Sequence, residues 1–331
     1  MCSFLFAFGR RAAEKNRSSL KKISRFAVFT NPFPSALEKP ARGSEILMFR
    51  KKYWKGSERN LDRAGLLPVL AVWLILILPL CPVHAQSVLA RPASLKTGAP
   101  VSSVAVVNVY PHDAANFTQG LFFHEGFFYE STGLHGKSFL YRKDITTGKT
   151  LQKVNMGQEY FGEGIALLRN KIYQLTWKNG IVFVYDRQTF RRIGRMKYEG
   201  EGWGLTSDGR YLLMSDGSST ITFRDPDSFQ AVRKIEVLDG NRPVDRLNEL
   251  EFIEGEIWAH IFTEDLIARI SPKSGKVKGW IDLSVLRSYL PQNAQVDVIN
   301  GLAYDAKGNR IFVTGKFWPN VFEIRVKGHA N

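Results

Sequence analysis

From residue 101 onward, apolar positions come in short runs rather than at helical spacing. Runs such as 172–176 (IYQLT) and 311–314 (IFVT) are rich in β-branched and aromatic residues, and turn pairs such as Asp208-Gly209 separate them. Short apolar runs between such breakers are typical of strands. The pattern predicts an all-β domain, with one short helix over residues 283–290.

One short motif recurs along this region: a polar or aromatic residue, then Gly (once Glu), then Leu or Ile. Successive copies lie about 40 to 52 residues apart, and a turn and further strands follow each copy. Such periods, with four strands each, are typical of propeller blades. The sequence therefore predicts a five-bladed β-propeller with four strands per blade. The copies begin at Gln119, Glu163, Trp203, Asn248 and Asn300.

The two ends of this region suggest how the ring closes. The last repeat runs out after its third strand, near residues 324–326, whereas residues 104–109 (VAVVNV) form a strand without a blade. We expect the N-terminal strand to complete the last blade, which removes exposed sheet edges. An irregular β-sandwich is the alternative, but sandwiches show no such repeat.

The first strand of a blade lines the central channel, so the five motif residues should meet at one mouth. Four of them are polar or charged, and a polar funnel in a small propeller is a natural ligand site. Burial near the axis would raise the pKa of Glu163 toward general acid/base use. The alternative is a carboxylate satisfied by backbone N–H groups. Lys316, just after a strand, is placed to reach the same mouth and stabilise negative charge.

Aromatic residues near these motifs are candidates for a substrate wall or for the core. Trp177 and Trp203 fit either role, whereas Phe117 and Phe161 are core candidates, with ligand contact as the alternative. The chain has no His-x-x-x-His, no Cys/His cluster, no Gly-x-Ser-x-Gly and no phosphate-binding loop. Zinc chemistry and these enzyme classes are therefore disfavoured.

The front of the chain differs from the rest in charge. The net charge is +15, and two thirds of it lies in residues 1–85. A basic flank, the apolar run 66–80 and then Val83-His84-Ala85 predict a secretory signal peptide. The run is short for a full membrane span, but an uncleaved anchor remains the alternative. With so little excess charge after residue 85, nucleic-acid binding is not expected.

We therefore divide the chain into four parts. Residues 1–47 are expected to be disordered or to precede a true start at Met48; 48–85 form the signal peptide or anchor, 86–102 a linker, and 103–331 the propeller. The expected localisation is periplasmic or secreted. Both cysteines, Cys2 and Cys81, lie before residue 86, so the mature domain has no thiol nucleophile.

Many motifs in order along residues 104–326 resemble the plant- and bacterial-type glutaminyl-peptide cyclotransferases. The resemblance implies a five-bladed propeller that converts N-terminal glutaminyl residues of peptides or proteins to pyroglutamyl with release of ammonia. It implies no metal or other cofactor, and we expect a monomer. The motifs are YPHD (110–113), FTQGL (117–121), YFGEGI (160–165), GWGL (202–205), RLNELE (246–251), INGLA (299–303) and VTGKFWP (313–319).

The resemblance also assigns roles. Glu163 resembles the family's acid/base carboxylate. Our hypothesis is that it takes a proton from the substrate's α-ammonium and then gives one to the leaving amide nitrogen. Lys316 and the Asn248 amide would steady the oxyanion, with Trp203 donating its N–H. Gln119, Trp203, Asn248 and Lys316 resemble the family's polar pocket, and Phe117, Phe161 and Trp177 its aromatic wall. Asn300, from the repeat, and Phe262 are further substrate-binding candidates.

One segment departs from the family's pattern. His260 and Phe262 stand where family members usually have Asn and Trp, which removes one N–H donor from the wall. Two other classes of function stay open on the sequence: a non-catalytic propeller that binds a partner in the cell envelope, and a calcium-dependent lactonase-type propeller.

Overall fold

The computed structural model describes residues 98–328, and these form 22 strands and one short helix. The predicted all-β class is confirmed. The signal-peptide or anchor prediction for residues 48–85 lies outside the described residues. Within residues 98–328, no helix has the length and apolar character to cross a membrane.

Three antiparallel sheets of four strands follow one another along the chain after the first strand. The first strand is β1 (Val101–Pro111). The first sheet contains β2 (Thr118–His124), β3 (Phe127–Thr132), β4 (Phe139–Asp144) and β5 (Thr150–Asn155); the second contains β6 (Gly162–Leu168), β7 (Lys171–Thr176), β8 (Ile181–Asp186) and β9 (Arg192–Lys197); the third contains β10 (Leu205–Ser207), β11 (Leu212–Ser215), β12 (Thr220–Arg224) and β13 (Ala231–Glu236).

A larger sheet holds the remaining long strands. Two short strands, β14 (Leu238–Asp239) and β15 (Arg242–Pro243), form a separate hairpin before it. The order of the strands in the larger sheet is β16-β17-β18-β19-β1-β22-β21-β20. These strands are β16 (Leu247–Ile253), β17 (Glu256–Ile261), β18 (Leu266–Ile270), β19 (Val277–Asp282), β20 (Ile299–Asp305), β21 (Arg310–Gly315) and β22 (Asn320–Val326).

Strand β1 joins the two halves of this larger sheet. It pairs antiparallel with β22 from Val104↔Val326 to Pro111↔Asn320, and parallel with β19 through Val101–Ser103. The expected pairing of the N-terminal strand with the last strand is confirmed. It covers the edge of β22, which would otherwise present unpaired backbone groups.

The first strands of successive four-strand units contact one another closely at the motif glycines. A Cβ built on Gly120 would lie 2.7 Å from the backbone nitrogen of Ile165 in β6, and Gly164 and Gly204 face β10 and β16 in the same way. Only a residue without a side chain permits this approach. Apolar side chains fill the space between neighbouring sheets and form the core.

The predicted helix is present in a different form. Residues Ser284–Tyr289 form a 3₁₀ helix with buried Leu286, and no side chain caps its N-terminus. A segment of six residues cannot sustain several α-helical hydrogen bonds, so the tighter turn is favoured.

Candidate active site

The candidate site lies at the edge where the first strand of each four-stranded repeat begins and the second strand of that repeat ends. In an antiparallel pair these two ends lie at the same edge of the sheet. The residue after a second strand repeatedly donates its backbone N–H to the carbonyl of the residue before the first strand: Trp177 to Phe161, Phe262 to Arg246, and Lys316 to Val298. Side chains from three pairs of strands, β6 and β7, β16 and β17, and β20 and β21, are therefore directed to one face.

All five motif residues are buried, and three of them form a hydrogen-bonded row. The Gln119 side-chain amide donates to Glu163 Oε1 at 3.0 Å. Asn300 Nδ2 donates to Gln119 Oε1 at 3.2 Å and to the Thr118 carbonyl at 3.0 Å. Because Asn300 fixes the Gln119 carbonyl oxygen, the Gln119 NH₂ group must face Glu163.

Glu163 is 2% exposed. Burial raises the pKa of its carboxyl well above the usual range, the Lys316 charge partly opposes this rise, and the Glu201 charge adds to it. The predicted direction of the pKa shift is confirmed. A raised pKa favours the protonated carboxyl, which can then act as a proton donor.

Lys316 is completely buried rather than exposed at the surface. Burial lowers the pKa of Lys316 to about 8, while Glu163 and Asp297 raise it. The Lys316 ammonium lies 4.6 Å from the ring centre of Phe117 and 5.3 Å from that of Phe262. The aromatic faces give this buried cation favourable contacts.

The predicted aromatic residues form a continuous set of contacts around the site. Ring centres are 5.4 Å apart for Trp177 and Phe161, 6.1 Å for Phe161 and Phe117, and 5.6 Å for Trp203 and Phe262. Lys316 bridges the gap between Phe117 and Phe262. The rings of Phe117 and Phe262 contact the Lys316 ammonium, and the other rings extend from these two. Their role as a substrate wall stays a prediction.

Glu201 links the two ends of this row of aromatic contacts, and the sequence analysis did not predict it. Its Oε2 accepts the indole N–H of Trp177 at 2.8 Å and that of Trp203 at 3.1 Å. The Trp203 N–H, expected to face the oxyanion, therefore donates to Glu201 instead. Glu201 lies outside the repeated motif, between β9 and β10, and its position two residues before Trp203 was the available signal.

His260 is completely buried beside the site. Burial lowers the pKa of His260 to about 3; the Lys316 charge lowers it further and the Gly301 backbone raises it. The imidazole is therefore neutral near pH 7. Asp297, which precedes the Asn300 motif, also acts electrostatically on Lys316 and was not singled out in the sequence.

Asn248 is 2% exposed at the start of β16. Its backbone carbonyl accepts a hydrogen bond from the Ser215 hydroxyl at 2.7 Å. That hydroxyl also accepts the backbone N–H of Gly204, at 2.8 Å. These bonds fix the backbone of Asn248 next to the turn that carries Trp203.

No group of three or more potential metal ligands among His, Cys, Asp and Glu occurs within residues 98–328. Calcium can also be bound by backbone carbonyls and water.

Comparison with known proteins identifies the family. Residues 78–326 match the family model described as glutamine cyclotransferase. A glutaminyl-peptide cyclotransferase of Arabidopsis thaliana is 41% identical over 239 residues, covering 71% of this chain and 75% of that protein. The crystal structure of Myxococcus xanthus glutaminyl cyclase matches with a TM-score of 0.65 and 36% identity, over 69% of this chain and 98% of that one. The chain belongs to the glutamine cyclotransferase family.

Proposed function

We propose that this protein converts N-terminal glutaminyl residues of peptides or proteins to pyroglutamyl residues and releases ammonia. The observation that carries the proposal is the buried carboxyl of Glu163, held by Gln119 and facing the charge of Lys316, in a member of the glutamine cyclotransferase family. The proposed substrates are peptides with N-terminal Gln, the enzyme works as a monomer, and no metal is required.

The fold that presents this site is, in our proposal, a closed ring of five four-stranded blades. Strands β20, β21, β22 and β1 make the fifth blade, and the parallel contact of β1 with β19 lies between two blades. Glu249 of β16 supports a narrow centre, because its Oε1 accepts the Leu121 N–H of β2, which is not its sequential neighbour.

Orientation of the substrate is the first requirement of the reaction. The α-amine and the side-chain amide carbon belong to one residue, so holding that residue folded brings the reacting atoms together and supplies much of the rate. The rings of Phe117, Phe161, Trp177, Trp203 and Phe262 supply walls that exclude water and restrict the side chain. Gln119 holds the Glu163 carboxyl in one orientation.

Glu163 moves the protons in the proposed reaction. Glu163 first takes a proton from the substrate's α-ammonium and passes it to solvent. The freed amine nitrogen then attacks the side-chain amide carbon, and a C–N bond forms. Glu163 takes the proton that the amine nitrogen loses and delivers a proton to the departing amide nitrogen. The bond from carbon to that nitrogen breaks, ammonia leaves, and Glu163 ends in its starting protonation state.

Lys316 and Asn248 stabilise the oxyanion that forms on the amide oxygen. A buried cation with few water neighbours interacts strongly with developing negative charge. Lys316 already counters the charge of Glu163. Lys316 can therefore stabilise the Glu163 carboxylate and the oxyanion in turn, as negative charge moves between them during the reaction.

An ammonia-release assay on the full chain tests this function. A Gln-Ala peptide should yield ammonia and a pyroglutamyl product, with equal rates in the presence and absence of a chelator. N-acetyl-Gln-Ala is the matched control, because its blocked nitrogen cannot attack. Absence of ammonia from several Gln-peptides would favour a binding module, and lactone hydrolysis abolished by chelator would favour the lactonase class.

We also propose that residues 48–85 direct export, leaving a catalytic domain over 103–331 in the periplasm or outside the cell. Support comes from the basic flank, the apolar run 66–80 and Ala85 that follows it. N-terminal sequencing of the mature protein should find a start near Gln86. Recovery of residues 66–80 in the mature chain would indicate an anchor instead.

A further inference from the structure

The mouth of the candidate site contains a carboxylate that the proposed reaction does not use. Glu201 accepts two indole N–H bonds on the same oxygen, at 2.8 Å from Trp177 and 3.1 Å from Trp203. It is half-buried, whereas Glu163, on which its charge acts, is buried. A hydrogen bond from each ring to one charged atom fixes the two indoles relative to each other.

The charges around the site indicate that the Glu201 carboxylate favours a positively charged ligand. Glu163 and Lys316 are opposite charges that act on one another. Asp297 also acts on Lys316, and His260 is neutral near pH 7. The carboxylate of Glu201 is therefore placed to offset the repulsion between Lys316 and a positively charged ligand.

The indole that Glu201 holds already contacts a cation. The Lys178 ammonium lies 3.9 Å from the Trp177 ring centre. Aromatic faces together with a carboxylate are a recurrent combination for recognising ammonium groups. A peptide substrate with N-terminal Gln carries such a group.

We propose that Glu201 is a positioning and substrate-binding residue that holds the Trp177 and Trp203 indoles as a wall and draws the positively charged N-terminus of the substrate into the site. This inference deepens the proposed function and rests on it for the identity of the substrate. The ligand class is the N-terminal ammonium group of a residue whose side chain is short and uncharged.

Binding of two non-reactive compounds tests the inference without turnover. Norvalinamide carries the ammonium but no side-chain amide, so it cannot cyclise, and N-acetylnorvalinamide lacks the charge. Affinities are measured by titration calorimetry at pH 6.5, where the amine is protonated. In the wild type, norvalinamide should bind more tightly than its acetylated form. Glu201→Gln keeps an oxygen acceptor for the indoles but removes the charge, and should reduce that affinity ratio about tenfold, the change expected for one moderately screened charge pair.

A matched control and a second variant separate the charge from structural damage. Glu199→Gln removes the same charge from an exposed residue in the same turn, and should leave the ratio unchanged. Glu201→Ala removes the acceptor as well, and should weaken both compounds and shift tryptophan emission. An affinity ratio in Glu201→Gln equal to that of the wild type would overturn the inference. A reduced ratio without ammonia release from any Gln-peptide would sustain the cation site and refute the proposed activity.

Discussion

The side-chain amide of Gln119 donates to Glu163 at 3.0 Å, so the position of the proposed acid/base carboxyl depends on a neighbouring first strand. Replacing Gln119 with Leu removes the donor and leaves Glu163 free to rotate. We expect kcat to fall up to about tenfold, because an ordinary hydrogen bond contributes about 0.5–1.5 kcal/mol and about 1.4 kcal/mol of barrier is tenfold in rate. The affinity for substrate should change less. Steady-state kinetics with a Gln-peptide measure both.

The exposed Gln188 offers a control for this substitution. Gln188→Leu makes the same chemical change on a turn away from the site and should preserve kcat. If Gln119→Leu kept the wild-type kcat, the hydrogen bond would have no role in positioning Glu163.

Lys316 should set the alkaline limit of activity. Its pKa is lowered to about 8, so it is a cation below that pH and loses its charge above it. If the charge stabilises the oxyanion, kcat/KM should decline above pH 8. Lys316→Arg, which stays charged to much higher pH, should move the decline upward.

The larger guanidinium group in Lys316→Arg can also disturb packing in this buried place. Lys316→Met therefore accompanies it, and should show low activity without the decline near pH 8. A decline near pH 8 that persisted in both variants would belong to another group.

Sequence patterns singled out most residues of the candidate site, since these residues follow a repeat. The motif identified Gln119, Glu163 and Asn300 before their hydrogen bonds were visible, and the antiparallel second strands explain why Trp177 and Phe262 join them. The sequence did not predict Glu201, because its contacts depend on two indoles that only the tertiary structure brings to one oxygen. The 3₁₀ form of the helix and the hairpin β14–β15 also depend on local packing that the apolar pattern does not encode.

His260 should make stability dependent on pH. Its folded-state pKa of about 3 lies below the usual His value of about 6.5. The unfolded chain therefore binds a proton that the folded chain excludes, and stability falls as pH drops from about 6.5 toward 3. Between pH 7 and pH 5 the loss should be about 2 kcal/mol. Denaturant melts across this range measure it.

His260→Asn should flatten this pH dependence, because Asn does not titrate. The same substitution at the exposed His135 should leave the dependence as in the wild type. Equal slopes for His260→Asn and the wild type would show that His260 does not cause the loss.

The stability of the fold should depend on the partners of the buried Glu130 carboxylate. Its carboxylate accepts hydrogen bonds from Lys143 at 2.6 Å, Asn116 at 2.8 Å and Thr118 at 2.7 Å. Burial alone would raise the pKa of Glu130, but the charges of Lys143 and His112 lower it below the usual range. Lys143→Met leaves this charge without its main partner.

We expect Lys143→Met to reduce the free energy of unfolding by about 3–5 kcal/mol, as for other broken buried ion pairs. Lys137→Met, at an exposed position on the preceding loop, should change it little. Chemical denaturation of both variants decides the matter, and similar unfolding curves would mean that Glu130 is neutral or differently compensated.

Glu163→Gln tests the central claim most directly. The amide keeps the size of the side chain and removes its ability to exchange protons, so ammonia release from Gln-Ala should fall by about 10²–10⁴-fold, the usual contribution of general acid/base catalysis. Thermal unfolding should show that the variant is folded, and Glu159→Gln, an exposed residue on the loop before β6, should retain full activity. A folded Glu163→Gln variant with a near-wild-type rate of ammonia release would contradict the account.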